Sequence, residues 1–158
     1  MPLSKVSAGL PSGTGLYNTD IIAWTREQVS LLRAGRLSEL DIDHIAEEIE
    51  DVGKSEQREL AGRMAVLIAH LIKWQYQPQR RGHSWQYTIR AQRRAIALRI
   101  ERTPSLKVML RNADWREEIW SDAIAATSAE ADLEDLPLTC PWTLIQVLDS
   151  DWLPPAVP

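Results

Sequence analysis

A 158-residue chain with 44% hydrophobic residues and a formal charge of −4 has the size of one domain, and at that length folding buries roughly 70% of the surface an unfolded chain exposes. Its single cysteine, Cys140, excludes an internal disulfide framework. No apolar run approaches the ~20 residues that cross a bilayer, so no membrane partner is expected.

In chain order, Met1 to Leu16 carries only Lys5 as a charge and is interrupted by Pro2, Gly9, Pro11, Gly13 and Gly15. It lacks the continuous apolar stretch of a signal peptide. It is expected to be a flexible tail on a cytoplasmic protein, with residues 17–158 as one helical domain. A first helix is predicted to start at Thr19 or Asp20, either of which can cap free amides, and to stop at Gly35, which tolerates a left-handed end. Ile21, Trp24, Gln28, Leu31 and Leu32 define one face of it. After the connector Arg36 to Leu40, apolar residues recur at Ile42, Ile45, Ile49 and Val52, then at Leu60, Met64, Leu67, Leu71 and Trp74. The spacing stays near helical through Gly53, which predicts one long second helix to Tyr76 with this stripe turned inward and a kink at most at Gly53.

Pro78 to His83 reads as a loop. Ser84 caps a third helix with the stripe Trp85, Ile89, Gln92, Ile96 and Ile100, which ends before Pro104. A fourth helix follows with Pro104 in its first position and Leu106, Leu110, Ala113, Glu117, Trp120, Ile124 and Thr127 on its buried side, fading in the acidic stretch Glu130 to Asp135. A short last helix is predicted from Pro141 through Leu144, Ile145 and Leu148. No segment alternates like a strand. The expectation is an all-α, up-and-down antiparallel bundle of about four main helices with a short C-terminal helix. Seven Trp and no Phe supply its aromatic volume, so Gln28, His70 and Gln92 are expected to face inward as partners for indole amides.

The ordered motifs resemble a known family. Tyr17-x-x-Asp20-x-x-Ala23-Trp24-x-x-Glu27-Gln28 comes first, then Leu40-Asp41 through His44-x-x-Glu47-Glu48-Ile49-Glu50-Asp51-x-Gly53-x-Ser55. Leu67-x-x-His70-Leu71-x-Lys73-Trp74-Gln75-Tyr76-Gln77-Pro78, Ser84-Trp85, Ile89, Arg93, Arg94 and Thr103-Pro104-Ser105-Leu106 follow. Over residues 17–155 the chain is similar to the bacterial family catalogued as domain of unknown function 29. That resemblance implies a helical fold and brings no assigned activity or catalytic residue.

Three sets of residues have the makings of chemistry. His44, Glu47 and Glu48 share one side of a helix and are metal-ligand types, but the paired Glu-x-x-His motifs of bundle di-metal sites are absent, and a solvated acidic face is the plainer reading. The second set is basic. Residues 73–111 hold ten basic side chains against Glu101 alone, a balance of +9, while residues 1–72 balance to −4 and residues 112–158 to −9. Arg80, Arg81, Arg90, Arg93 and Arg94, interleaved with Trp74, Tyr76, Trp85 and Tyr87, suit phosphates and stacked bases. Against this stand the overall pI of 5.4 and the acids available for pairing on the second and fourth helices. The third candidate, Cys140, precedes Pro141 at a predicted helix start, but no histidine is near in sequence, so a packing or capping role is expected. No glycine-rich phosphate loop is present and no cofactor is called for. The reading is a small binding or assembly module, with a protein partner or self-association, without catalytic activity; the alternative is a nucleic-acid-binding accessory protein using the arginines.

Overall fold

The computed structural model describes residues 13–131 and 133–158, the side chains of residues 13, 14 and 131 excepted. Of the expected tail, residues 1–12 lie outside the described residues. Residues 13–16 do not form a tail: they belong to a short helix, α1 (Gly13–Thr19), which sequence reading missed because two of its first three residues are glycine. The other helices are α2 (Ile21–Arg33), α3 (Ile42–Tyr76), α4 (His83–Arg102), α5 (Lys107–Arg111), α6 (Ala113–Ala131) and α7 (Leu144–Leu148). Short 3-10 turns occur at Leu37–Glu39, Pro78–Arg80 and Pro104–Leu106, and no strand occurs among the described residues. The chain is all-α.

Local chemistry sets the ends. Asp20 caps α2 by accepting from the Ala23 amide at 3.0 Å. Gly35, at φ +68°, takes the left-handed conformation that turns the chain out of it. α3 runs 35 residues without interruption, about 52 Å at ~1.5 Å per residue, straight through Gly53. The predicted fourth helix is instead two. At Asn112 the backbone opens to ψ 119°, and the Asn112 side chain accepts from the Trp115 amide at 3.1 Å, capping α6 afresh. The break resets the helical phase. Leu106 and Leu110 are buried as expected, but Ala113 and Glu117 are exposed, and Trp115, Ile119, Trp120, Ala123 and Thr127 line the buried side of α6. The last helix starts later than Pro141, at a capping box in which Thr143 and Gln146 bond each other reciprocally. Val147 is its buried residue, and Ile145, expected inside, is 82% exposed.

The chain divides into two compact units, one ending at Lys54 and one spanning Ser55–Pro158. In the first, α2 runs antiparallel to the start of α3. Gln28 and Trp24 meet Asp41, while Tyr17, earlier in the chain, meets Glu48, further along α3. In the second, Leu60, Met64, Leu67, Leu71, Ile72 and Trp74 of α3 join Ile89 and Ile96 of α4, Leu106 and Leu110, the inner side of α6 and Val147 in one core. Trp85 packs against the same core as Trp74, as expected of the rings at that helix junction. The indoles find other partners than expected: Trp24 donates to Asp41 and Trp120 to the Pro137 carbonyl, both at about 3 Å. Gln28 is buried as predicted, but its amide oxygen accepts from the Asp41 main chain. His70 bonds the Val66 carbonyl, and Gln92 accepts from Arg63.

Candidate functional site

Asp41 is the hub of the first unit. Its side chain, 8% exposed, accepts from the Trp24 indole at 3.0 Å and contacts His44 Nδ1 at 2.7 Å. Burial pushes its carboxyl up, but the bonds from His44 and Trp24, the His44 charge and a main-chain amide outweigh that and leave the pKa below its ordinary value. Tyr17 stacks on the His44 ring with centroids 3.8 Å apart and meets Trp24 edge-on at 4.9 Å. Its hydroxyl donates to Glu48 at 2.8 Å. That bond, some burial and the charges of Glu48, Glu47 and Asp51 raise the Tyr17 pKa to about 12. Of the three candidate metal ligands, His44 and Glu48 are thus engaged with Asp41 and Tyr17, and Glu47 is exposed, as the plainer reading of a solvated face had it. Among the described residues no group of three or more His, Cys, Asp or Glu lies where it could hold an ion.

The five arginines split by environment. Arg93 is 7% exposed and points inward, donating to the main-chain carbonyls of Val147 at 2.9 Å, Trp152 at 2.8 Å and Ser150 at 3.5 Å. Arg81 donates to the Trp74 carbonyl at 2.7 Å with its guanidinium 4.9 Å from the centre of the Trp74 ring. Both are structural clamps. Arg80, Arg90 and Arg94 are exposed, and no ion pair is formed by them among the described residues. Arg99, further along α4, pairs with Glu56 at 2.6 Å and reaches Glu59 at 3.4 Å, which is the internal pairing that the acids of the second predicted helix allow.

A cavity of about 230 Å³ opens in the second unit between α3, α6 and α7, lined by Met64, Ile68, Trp115, Ile119, Trp142 and Val147, with Cys140 and Arg116 on its wall. Burial raises the Cys140 pKa against smaller downward pulls from the Trp142 carbonyl contact and Arg116. That is the reverse of an activated thiolate, and the thiol acts as a packing group.

The family model "Domain of unknown function DUF29" matches residues 16–153. The chain belongs to this family. No curated protein and no solved structure matches it.

In this DUF29 chain Trp24 and Gln28 of the motif are buried in the first unit and Tyr17, Asp41, His44 and Glu48 are half-buried, while Asp20, Glu27 and Glu47 are exposed. What sequence reading placed inside and the structure does not is the apolar stripe beside them. On α3, Ile42, Ile49 and Val52 are 65%, 67% and 67% exposed; on α2, Ile21 and Leu32 of the expected inner face are open, and so are Ile22 and Val29, which that face did not include. A signal for this exists in the sequence: residues 42–53 hold Asp43, Glu47, Glu48, Glu50 and Asp51 and no Lys or Arg, an acid density that leaves only a narrow dry face.

Proposed function

We propose that this DUF29 chain is a small binding or assembly module without catalytic activity, working through the first unit. One observation carries the reading: apolar side chains at helical spacing on α2 and on the start of α3 stand in solvent while neighbouring motif residues are buried. Isolated exposed apolar residues are ordinary, but a run of them on adjacent helices has the character of a contact surface. The polar groups nearby support binding over chemistry. Asp41, His44, Tyr17 and Glu48 are taken up by one another, and the one thiol is half-buried with a raised pKa. The test compares the full chain with Ile49→Asp in affinity capture and in sedimentation. Self-association, or a captured partner, that is lost in Ile49→Asp while helicity is retained supports the reading. Neither behaviour in the parent chain overturns it.

A second reading is supported by α4. Tyr87, Arg90 and Arg94 fall at i, i+3 and i+7, Tyr87 is 75% exposed, and Arg80 is exposed in the preceding turn. An open tyrosine in line with free guanidinium groups suits single-stranded nucleic acid. That binding would weaken steeply with salt, and Arg90→Ala or Arg94→Ala would each lower the logarithmic salt slope by about 0.7 to 0.9. Salt-independent or undetectable binding refutes it.

A further inference from the structure

We propose that the cavity between α3, α6 and α7 is a binding site for a small monocarboxylate with an apolar body, an aryl-alkyl or branched acid of about 8 to 12 non-hydrogen atoms whose head is held by Arg116. The site belongs to the second unit. It goes beyond the reading of the first unit's open face and does not depend on it.

The floor of the cavity is apolar and its walls are braced. Met64, Ile68, Ile119 and Val147 line it and are all buried. Trp142, also in the lining, stands edge-on to Trp120 and to Trp152, with centroids 5.6 and 5.7 Å apart, and the Trp120 indole is itself tied to the Pro137 carbonyl. Val147 is fixed by the bond from Arg93 to its carbonyl. A site whose walls are held in this way is formed in advance, which spares a ligand the cost of ordering it. Close-packed interiors keep few voids larger than a water molecule. Leu138 and Ile145, next in sequence to Thr139 and Leu144 of the lining, are 94% and 82% exposed and take no part in it. At about 230 Å³ the cavity exceeds the roughly 150 Å³ in which an apolar site takes up benzene, so it has room for a ring with a short chain.

The mouth supplies the charge. Arg116, Glu117 and Thr139 are exposed polar residues of the lining. Arg116 is the only Lys or Arg in residues 112–158, a segment rich in acids, yet it forms no ion pair among the described residues. Of the two charges on the rim, it is Arg116 that bears on the Cys140 thiol in the cavity wall. The cation is therefore the charge nearer the interior of the site. A planar guanidinium beside an apolar cavity matches a carboxylate through two parallel N–H bonds. Glu117 on the same rim repels a second negative charge, which selects a monoacid over a diacid or a phosphate.

Cys140 is the only cysteine, so the rate of its alkylation reports on this cavity alone. In the full chain 3-phenylpropanoate should slow alkylation by iodoacetamide saturably, with a dissociation constant between about 0.1 and 1 mM that ligand-observed NMR reproduces. The matched alcohol, 3-phenylpropan-1-ol, should bind roughly 5- to 10-fold more weakly, and 3-phenylpropylamine more weakly still. Arg116→Ala, an exposed substitution whose fold is verified by circular dichroism, should bring the acid down to the affinity of the alcohol. Cys140→Phe, which puts a ring into the cavity, should abolish binding seen by NMR; if that variant unfolds, Arg116→Ala decides. No protection and no NMR signal from the acid at about 10 mM overturns the proposal. Equal binding of acid, alcohol and amine, or an acid affinity unchanged in Arg116→Ala, overturns the carboxylate and the role of Arg116. Tightest binding of the amine overturns it in favour of a cation at Glu117. None of these outcomes touches the reading of the first unit, which Ile49→Asp tests separately.

Discussion

Replacing Arg93 by Ala should unfold the clamp that holds the C-terminal segment to α4. The guanidinium makes two bonds of good length, to the Val147 and Trp152 carbonyls, and one at the 3.5 Å limit, to Ser150, which contributes little. Hydrogen bonds to a charged donor contribute about 1.5 to 3 kcal/mol each, and a buried carbonyl left without a donor costs a similar amount. The loss should therefore be about 3 to 5 kcal/mol, which for a domain of this size lowers the melting temperature by about 6 to 20 °C. Burial lowers the Arg93 pKa against the opposing pull of Asp149 and Asp151, but a guanidinium does not lose its proton near neutrality, so the clamp should not weaken across neutral pH. Arg93→Lys should recover only part of the stability, because one ammonium lacks the planar fork that reaches carbonyls at Val147 and Trp152 together. The assay is thermal unfolding followed by circular dichroism. Arg90→Ala and Arg94→Ala, both exposed, serve as controls expected to change stability by no more than ~0.5 kcal/mol. An Arg93→Ala melt within that same margin would refute the clamp and return Arg93 to the surface set.

Gly53→Ala should stabilise the chain by about 0.5 to 1 kcal/mol, since an added Cβ at this mid-helix position meets nothing within 4 Å; a lower melting temperature would show that the helix does bend there. Gly35→Ala should do the opposite, because φ +68° disfavours any side chain. Asp41→Asn should reduce acid sensitivity. With a folded pKa below the unfolded value, Asp41 contributes stability that is complete above the ordinary carboxylate range and lost as pH falls through the folded value, so parent and variant melts should converge in acid. Equal spacing at every pH would rule this out. Tyr17 has the opposite sign: with its pKa raised to about 12, its contribution is complete below pH ~10 and disappears between there and 12. Titrating the tyrosinate absorbance should show one late step, and Tyr17→Phe should abolish it; its persistence would assign the step to another tyrosine.

The helical class was legible because caps and apolar spacing agree along most of the chain. Asp20 and Gly35 marked the ends of α2, and the spacing from Leu60 to Trp74 marked a face that is buried. Where reading failed, a local event had overridden the period. Asn112 restarts a helix and shifts its phase by a residue or two, which a continuous stripe from Leu106 to Thr127 concealed, although asparagine is a favoured cap. The arginines were legible as a charge block but not as individuals. Arg93 and Arg90 look alike in sequence, and only the fold reveals that one meets the carbonyls of a chain segment more than fifty residues away.

The same distinction bears on what the family motif means. A histidine with two following glutamates looks like chemistry in the sequence, yet each of its polar groups has a nearby structural task except Glu47. Asp41 ties Trp24 and His44 together, its own amide is held by Gln28, and Glu48 holds the hydroxyl of the tyrosine that stacks on His44. Six of the residues that carry the resemblance over this stretch, Tyr17, Trp24, Gln28, Asp41, His44 and Glu48, therefore fasten α1 and α2 to the start of α3. The residues beside them, Ile42, Ile49, Val52 and the strip on α2, take part in none of these bonds. Construction and recognition are divided between neighbouring faces of the same helices. A substitution in the first set should damage the fold and the contact together, whereas Ile49→Asp should remove the contact and leave the fold.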